Sequence, residues 1–315
     1  MKYDVISTRD AFGRAVLDVM RADPTAVALA ADTGKSMGFD GAAKEFPNRV
    51  FNTGIAEQNM VNMAAGLAAV GKRVFIGTYA PFLTLRAAEQ IRTFLCYPNL
   101  PVKMAGAMGG LSGGIEGVTH QGIEDIAVMR ALPNMSVVVP ADAVAAYKIT
   151  VAVAQLDSPV YIRLGRYVMP SVFGDDYRFE FGKANLLADG SDLTLICCGC
   201  MVERCLRANE KLRGMGINAR VLEMPTIKPL DTEAVARAAA ETGAIVTAEE
   251  HSVIGGLGSA VTEAVAELCP VPVERVGVND RFAESAGQEE LMDAYGLSVD
   301  DVIGKALKAK GRKEA

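Results

Sequence analysis

Apolar runs about the length of a strand alternate along this chain with longer stretches whose apolar positions recur at helical spacing. In the first half the strand-like runs fall at 26–31, 74–79, 102–108, 137–140 and 160–164, and the helical stretches near 56–70, 83–96, 123–132 and 143–156. Ahead of them Ser7 is placed to cap a helix, with Asp10 three residues on in a variant of the capping box and Phe12, Val16, Val19 and Met20 along one face. Apolar strands joined by helices predict a parallel sheet covered on both sides. The pattern then breaks: residues 171–190, SVFGDDYRFEFGKANLLADG, are polar and aromatic without a period, and read as a linker. Beyond it a smaller unit repeats the alternation, with strands at 193–198, 219–224, 244–248 and 273–278 and helices near 202–215, 232–242, 259–268 and 299–308. The predicted fold class is α/β, with two doubly wound domains at 1–170 and 191–315, the linker 171–190 between them, and the charged tail KAKGRKEA frayed.

A length of 315 residues agrees with two domains, each able to bury a core. Half the residues are apolar, 22% are charged and the net charge is −6, an ordinary globular composition that offers no general surface for nucleic acid. The start MKYDVISTRD lacks the basic-then-apolar order of a signal peptide, and no apolar run approaches the roughly 20 residues that span a bilayer. A cytoplasmic location without membrane association is therefore expected. Six cysteines, three of them at Cys197, Cys198 and Cys200, match neither a disulfide framework nor a zinc site and are read as inert, partly buried thiols.

Four segments carry residues suited to chemistry, each with a plainer reading beside it. In FNTGIAEQNM, 51–60, a strand end turns into a helix with Glu57 in its first turn, where the helix dipole favours a carboxylate whether it serves a ligand or only starts the helix. In GTYAPFLTLRAAEQIR, 77–92, Tyr79 and Phe82 either stack on a planar ring or fill the core. The loop GGLSGGIEGVTHQGIED, 109–125, brings Glu116 and His120 to a strand's C-terminal end, where parallel sheets bind ligands; a merely solvated histidine is the alternative. In YIRLGR, 161–166, Arg163 and Arg166 suit a phosphate or a surface ion pair. The string GKS at 34–36 does not complete a phosphate-binding loop, because the glycine that motif needs at 29 is Leu29. The glycines of IGGLGSAV, 254–261, suit an anion at a helix start and equally a tight turn.

Taken in order, these segments resemble the C-terminal half of transketolase over nearly the whole chain. FNTGIAEQNM resembles the family's motif for the glutamate that contacts the cofactor's aminopyrimidine, and RAAEQIR the helix after its aromatic pocket. GGIEGVTHQGIEDIAVMRALPNMSVVVPAD resembles the substrate loop with the helix and strand beyond it, and EEHSVIGGLGSAV a turn of the C-terminal domain. The chain is similar to the separately encoded C-terminal subunits of split transketolases. It is more distantly similar to deoxyxylulose-phosphate synthase and to the β subunits of 2-oxoacid dehydrogenases, which supply the alternative function.

The resemblance implies a pyrimidine-binding thiamine-diphosphate fold followed by a smaller transketolase C-terminal domain, and transfer of a two-carbon ketol unit between sugars or sugar phosphates. It implies Glu57 at the pyrimidine nitrogen N1′, Tyr79 and Phe82 sandwiching that ring, and Asp32 close to cofactor and donor. His120 would bind the ketose and aid its proton transfers, and Arg9, Ser36 and Arg166 would hold the sugar's phosphate end. Glu116 departs from the Asp that usually reads a donor hydroxyl, 111–114 have an unusual sequence, and Ala88 replaces a common aromatic. The family holds magnesium and the cofactor's diphosphate with a GDG motif and a downstream Asn, and GDG is absent from these 315 residues. The implied arrangement is half a site with no metal ligand of its own. An N-terminal partner subunit would hold magnesium and diphosphate, and the chain would self-associate as a dimer or within a heterotetramer. A face of alternating Met and Ala on helix 56–70 fits burial against that partner and equally fits the chain's own core.

Overall fold

Helix Thr8–Ala22 begins as the sequence prescribes. The Ser7 hydroxyl accepts the Asp10 amide at 3.2 Å and donates to the Asp10 carboxylate at 2.5 Å, while Phe12, Val16, Val19 and Met20 turn inward. The structure, a computed structural model, describes residues 6–314. β1 (Ala26–Ala30), β2 (Val50–Asn52), β3 (Arg73–Tyr79), β4 (Val102–Ala107), β5 (Ser136–Val138) and β6 (Val160–Arg163) pair in parallel. In β1, AVALA, every residue is buried, because alternate side chains enter separate core clusters on the two faces of the sheet. The second half adds β7 (Asn185–Ala188), β8 (Leu193–Cys197), β9 (Ala219–Glu223), β10 (Thr226–Lys228), β11 (Ile245–Ser252) and β12 (Val273–Val278). Their order is β12-β11-β8-β9-β7 in one sheet, while β10 joins the other, ordered β10-β5-β6-β4-β3-β1-β2.

Three expectations need correction, and one open alternative, the Met and Ala face of helix 56–70, is decided in favour of the core. The segment read as an irregular linker ends in β7, which pairs antiparallel with β9. β10 crosses over to pair antiparallel with β5, so the two units share a sheet edge. The tail is not frayed: helix Val299–Glu314 runs through it, with Arg312 on Glu274 at 2.8 Å and Lys313 on the Thr242 carbonyl at 2.8 Å. The Met and Ala residues of helix Glu57–Ala69 lie mostly in the core, with Met60, Ala64, Ala65 and Ala68 buried; of its methionines only Met63 is exposed.

Where the units meet, Asp125, Tyr161 and Arg163 form a buried hub. Arg163 Nε reaches both Asp125 oxygens at 3.1 and 2.9 Å, and Nη2 donates to the Gly122 and Glu250 carbonyls at 3.0 and 2.7 Å. Tyr161 donates to Asp125 at 2.6 Å. Nε and Nη2 of this arginine are thus engaged inside the protein and its side chain is only 5% exposed, which fits an internal ion pair better than a phosphate grip. The glycine turn at 254–258 is likewise satisfied internally, since Glu249 accepts the Leu257 and Gly258 amides at 2.7 Å each. Burial pushes the thiols of Cys197 and Cys198 upward, in keeping with inert cysteines; for Cys197 a hydrogen bond with Cys205 contributes first.

Candidate functional site

The C-terminal ends of β1, β2, β3, β4 and β6 point to the same edge of one parallel sheet, the edge at which such sheets bind ligands. Each segment singled out in the sequence leaves the sheet there. After β2 the chain enters helix Glu57–Ala69, and Glu57 in its first turn is 1% exposed. A carboxylate taken that far from water needs a partner. It has one in Arg86, whose Nη1 lies 2.8 Å from Glu57 Oε2 while its side chain stays half in solvent.

After β3 the chain turns at Pro81 into a widened, π-helical turn, Phe82–Arg86. Widened turns of this kind occur often at functional sites. This one sets the Arg86 guanidinium 4.6 Å from the centre of the Phe82 ring. Tyr79, Phe82 and His120 then form one cluster, with ring centres 5.7 Å apart for Tyr79 and Phe82, 5.5 Å for Tyr79 and His120, and 5.1 Å for Phe82 and His120. Tyr79 and Phe82 touch each other at a tilt of 54°, so they build a single wall and leave no slot between them for a sandwiched ring. Ser36 Oγ stands 3.1 Å from the Tyr79 hydroxyl, and Thr119 Oγ1 is 2.9 Å from His120 Nδ1.

The glycine-rich loop after β4 is pinched at its base, where the Gly110 amide donates to the Gly122 carbonyl at 2.6 Å. Its glycines answer specific demands. Gly114 has φ +48°, and a Cβ there would run into the Tyr167 hydroxyl. Glu116 forms an ion pair with Arg166, which follows β6. Thr8 accepts the Gly165 amide at 2.8 Å and so ties the start of the first helix, with Arg9, beside that segment.

Glu57, Phe82, Tyr79, His120 and Ser36 are thus joined by direct contacts, with Arg86 completing the chain between Glu57 and Phe82. Glu116 and Arg166 form a second pair on the same loop system. Asp32 is held apart: its backbone is left-handed at φ +59°, its amide donates to Asn52 Oδ1 at 2.9 Å, and Asn52 Nδ2 donates back to its carboxylate at 3.2 Å. Arg9 has a buried Nε without a hydrogen-bond partner. Sequence reasoning missed Arg86 and Asn52. Arg86 heads the quoted RAAEQIR string, and the need of a buried Glu57 for a cation was the signal available. Among the described residues no three His, Cys, Asp or Glu side chains are grouped to hold a metal ion, and no helix is long and apolar enough to cross a membrane.

Comparison with known proteins agrees with this architecture. Residues 4–171 match the transketolase pyrimidine-binding domain and residues 182–302 the transketolase C-terminal domain. One of the subunits of an apulose-4-phosphate transketolase, from Phocaeicola vulgatus, is 41% identical over 98% of each chain. The 6-deoxy-6-sulfo-D-fructose transketolase subunit SqwH of a Clostridium species is 40% identical, over 97% of this chain and 95% of its own. A solved structure described as a split gene transketolase, inactive beta4 tetramer, superposes with a TM-score of 0.92 at 48% identity, covering 98% of this chain and 99% of that one. Two successive domain matches, near-complete coverage and a shared fold lead to one conclusion: this chain belongs to the transketolase family, its pyrimidine-binding domain followed by its C-terminal domain.

Proposed function

We propose that this chain is the pyrimidine-side subunit of a thiamine-diphosphate-dependent transketolase, transferring a two-carbon ketol unit between sugars or sugar phosphates in the cytoplasm. Its functional division would be 1–170 for the pyrimidine side and 191–315 for the C-terminal domain. The observation that carries the reading is a carboxylate 1% exposed, Glu57, set at a helix start and linked through Arg86 to the Phe82 ring, which with Tyr79 and His120 forms one cluster. A flat heterocycle with a protonatable ring nitrogen fits that combination of acid and aromatic wall. Thiamine diphosphate, when bound, supplies the carbon at which carbanion character is stabilised. Glu57 would hydrogen-bond the pyrimidine nitrogen N1′ of the bound cofactor, and Arg86 fixes the carboxylate against rotation. Phe82 and Tyr79 cover one side of the ring and keep water from it. His120 takes and returns protons on the sugar hydroxyls. Asp32 lies at the rim toward cofactor and donor, Ser36, Arg9 and Arg166 receive the far end of the sugar, and Glu116 reads a donor hydroxyl.

Diphosphate and magnesium rest on an N-terminal partner subunit in this reading, within a heterotetramer of two chains of each kind. Support comes from the surface beside Glu57. Ile55, Met63, Leu85, Phe94 and Tyr97 are all exposed large apolar residues, and a groove of about 550 Å³ runs between helix Glu57–Ala69 and residues 93–100. Exposed apolar ground of this kind, on the helix that Glu57 opens, suits a permanent contact between subunits. The test is ketol transfer by the chain co-purified with an N-terminal transketolase subunit. Turnover is expected from the pair and not from either chain alone, with Glu57→Gln inactive yet still assembled. Full activity of Glu57→Gln would overturn the assignment.

A further inference from the structure

The loop that bears Glu116 and His120 is held from below by the second unit. Its first free amide, Leu111 N–H, donates to Glu250 Oε1 at 2.9 Å, and the same carboxylate accepts from Gln288 Nε2 at 2.9 Å and from the Cys200 thiol at 3.2 Å. Gly110 presses on it so closely, at φ +66°, that a Cβ would lie 2.4 Å from the Glu250 carboxyl carbon. A second strut stands beside it, where Gln121 donates to the Glu284 carbonyl at 2.9 Å and to the Gly114 carbonyl at 3.3 Å. Arg163 locks the frame by donating at once to the Gly122 and Glu250 carbonyls. Glu250 is buried, and desolvation raises its pKa, so this is an acid placed in the interior and satisfied there by three donors. None of its contacts lies among the residues assigned to cofactor or sugar.

We propose that Glu250 is a positioning residue for the substrate loop: by anchoring the Leu111 amide it sets the height at which His120 meets the Tyr79 and Phe82 rings. The C-terminal unit then has a definite task, to hold the first unit's loop in its working shape. Its importance for sugar rests on the transketolase reading; the anchoring itself does not. Beside Glu250 lies a cavity of about 20 Å³ bounded by Gly109, Arg163, Cys200 and Gln288. Truncation of the side chain would enlarge it enough for water to reach the Leu111 amide, loosening the loop while the sheets stay folded.

Hydrogen exchange of the full chain, read peptide by peptide, tests the anchoring without any turnover. Glu250→Ala is expected to speed exchange across 109–122 at least ten-fold while peptides from β1 and β8 keep their protection. Glu250→Gln, which retains an oxygen for the Leu111 amide, should stay near wild type. In the assembled enzyme the Ala variant should raise KM for the ketose donor several-fold with cofactor affinity unchanged, and the Gln variant should rescue it. Unchanged exchange at 109–122 in Glu250→Ala, or an equal rise in every peptide, would overturn the proposal. If the assembled enzyme transfers no ketol unit at all, the functional reading fails while the exchange result still decides the anchoring.

Discussion

Replacing Arg163 with Met separates a structural from a ligand-binding role for an arginine at the end of a sheet strand. The side chain is 5% exposed and its partner Asp125 is fully buried. The substitution strips two hydrogen bonds from the Asp125 carboxylate, leaving it that of Tyr161, removes the arginine's hydrogen bond to the Glu250 carbonyl, and leaves the Gly122 carbonyl with the Gly110 amide alone. Removing one member of a buried pair leaves an uncompensated charge, which typically destabilises by about 3–5 kcal/mol. In a chain of this size that corresponds to a fall in apparent melting temperature on the order of 10 °C. The double variant Asp125→Asn with Arg163→Met removes the stranded charge and should recover roughly 1–3 kcal/mol of the sum of the single losses. Circular dichroism melts of the wild type, Arg163→Met, Asp125→Asn and the double variant measure this directly. A phosphate-gripping arginine would instead leave stability unchanged and weaken only phosphorylated substrates. A drop of less than about 2 °C for Arg163→Met would refute the reasoning, because the pair would then contribute under roughly 1 kcal/mol.

Further expectations concern pH, substrate charge and proton transfer. Burial raises Glu223 from 4.5 to about 7, where it lies among Tyr177, Asn185 and Asp142. The folded state thus holds a proton that the unfolded state loses first, and stability present below pH 4.5 drains away as pH rises through about 7. Glu223→Gln should remove a decline on the order of 3 kcal/mol between pH 4.5 and 7.5, seen in melts across that range. Glu116→Gln frees Arg166 from its ion pair, and kcat/KM for a phosphorylated acceptor relative to its unphosphorylated analogue should rise roughly ten-fold; an unchanged ratio would remove Arg166 from the sugar's anionic end. His120→Asn should lower kcat by about 10²–10⁴ with thiamine diphosphate affinity retained, measured by turnover and calorimetry on the assembled enzyme.

What was legible in the sequence follows from how local each signal is. The Ser7 cap, the fully apolar AVALA strand and the strand-to-helix turn before Glu57 are set by neighbours within a few residues, and all appear where expected. The site segments converge because each follows a parallel strand of one sheet, a consequence of alternating strand and helix. Pairing between distant segments left no such mark. β7 and β10 are short antiparallel edges whose partners lie in β9 and β5, and nothing in NLLA or TIK distinguishes them from loop. Arg163 and Arg166 look alike in YIRLGR, yet one meets buried Asp125 and the other Glu116 on a loop, a difference made by strand register alone. The charged tail looked solvent-bound because its anchors, Glu274 and the Thr242 carbonyl, are supplied by remote elements.

Cryo-electron microscopy of the assembled enzyme with thiamine diphosphate and magnesium bound gives the most direct test. The account predicts a Glu57 carboxylate oxygen within about 3.2 Å of the pyrimidine N1′ atom, the ring lying against Phe82 and Tyr79 and the diphosphate on the other polypeptide. A pyrimidine bound elsewhere, with Glu57 still engaged by Arg86 alone, would contradict it.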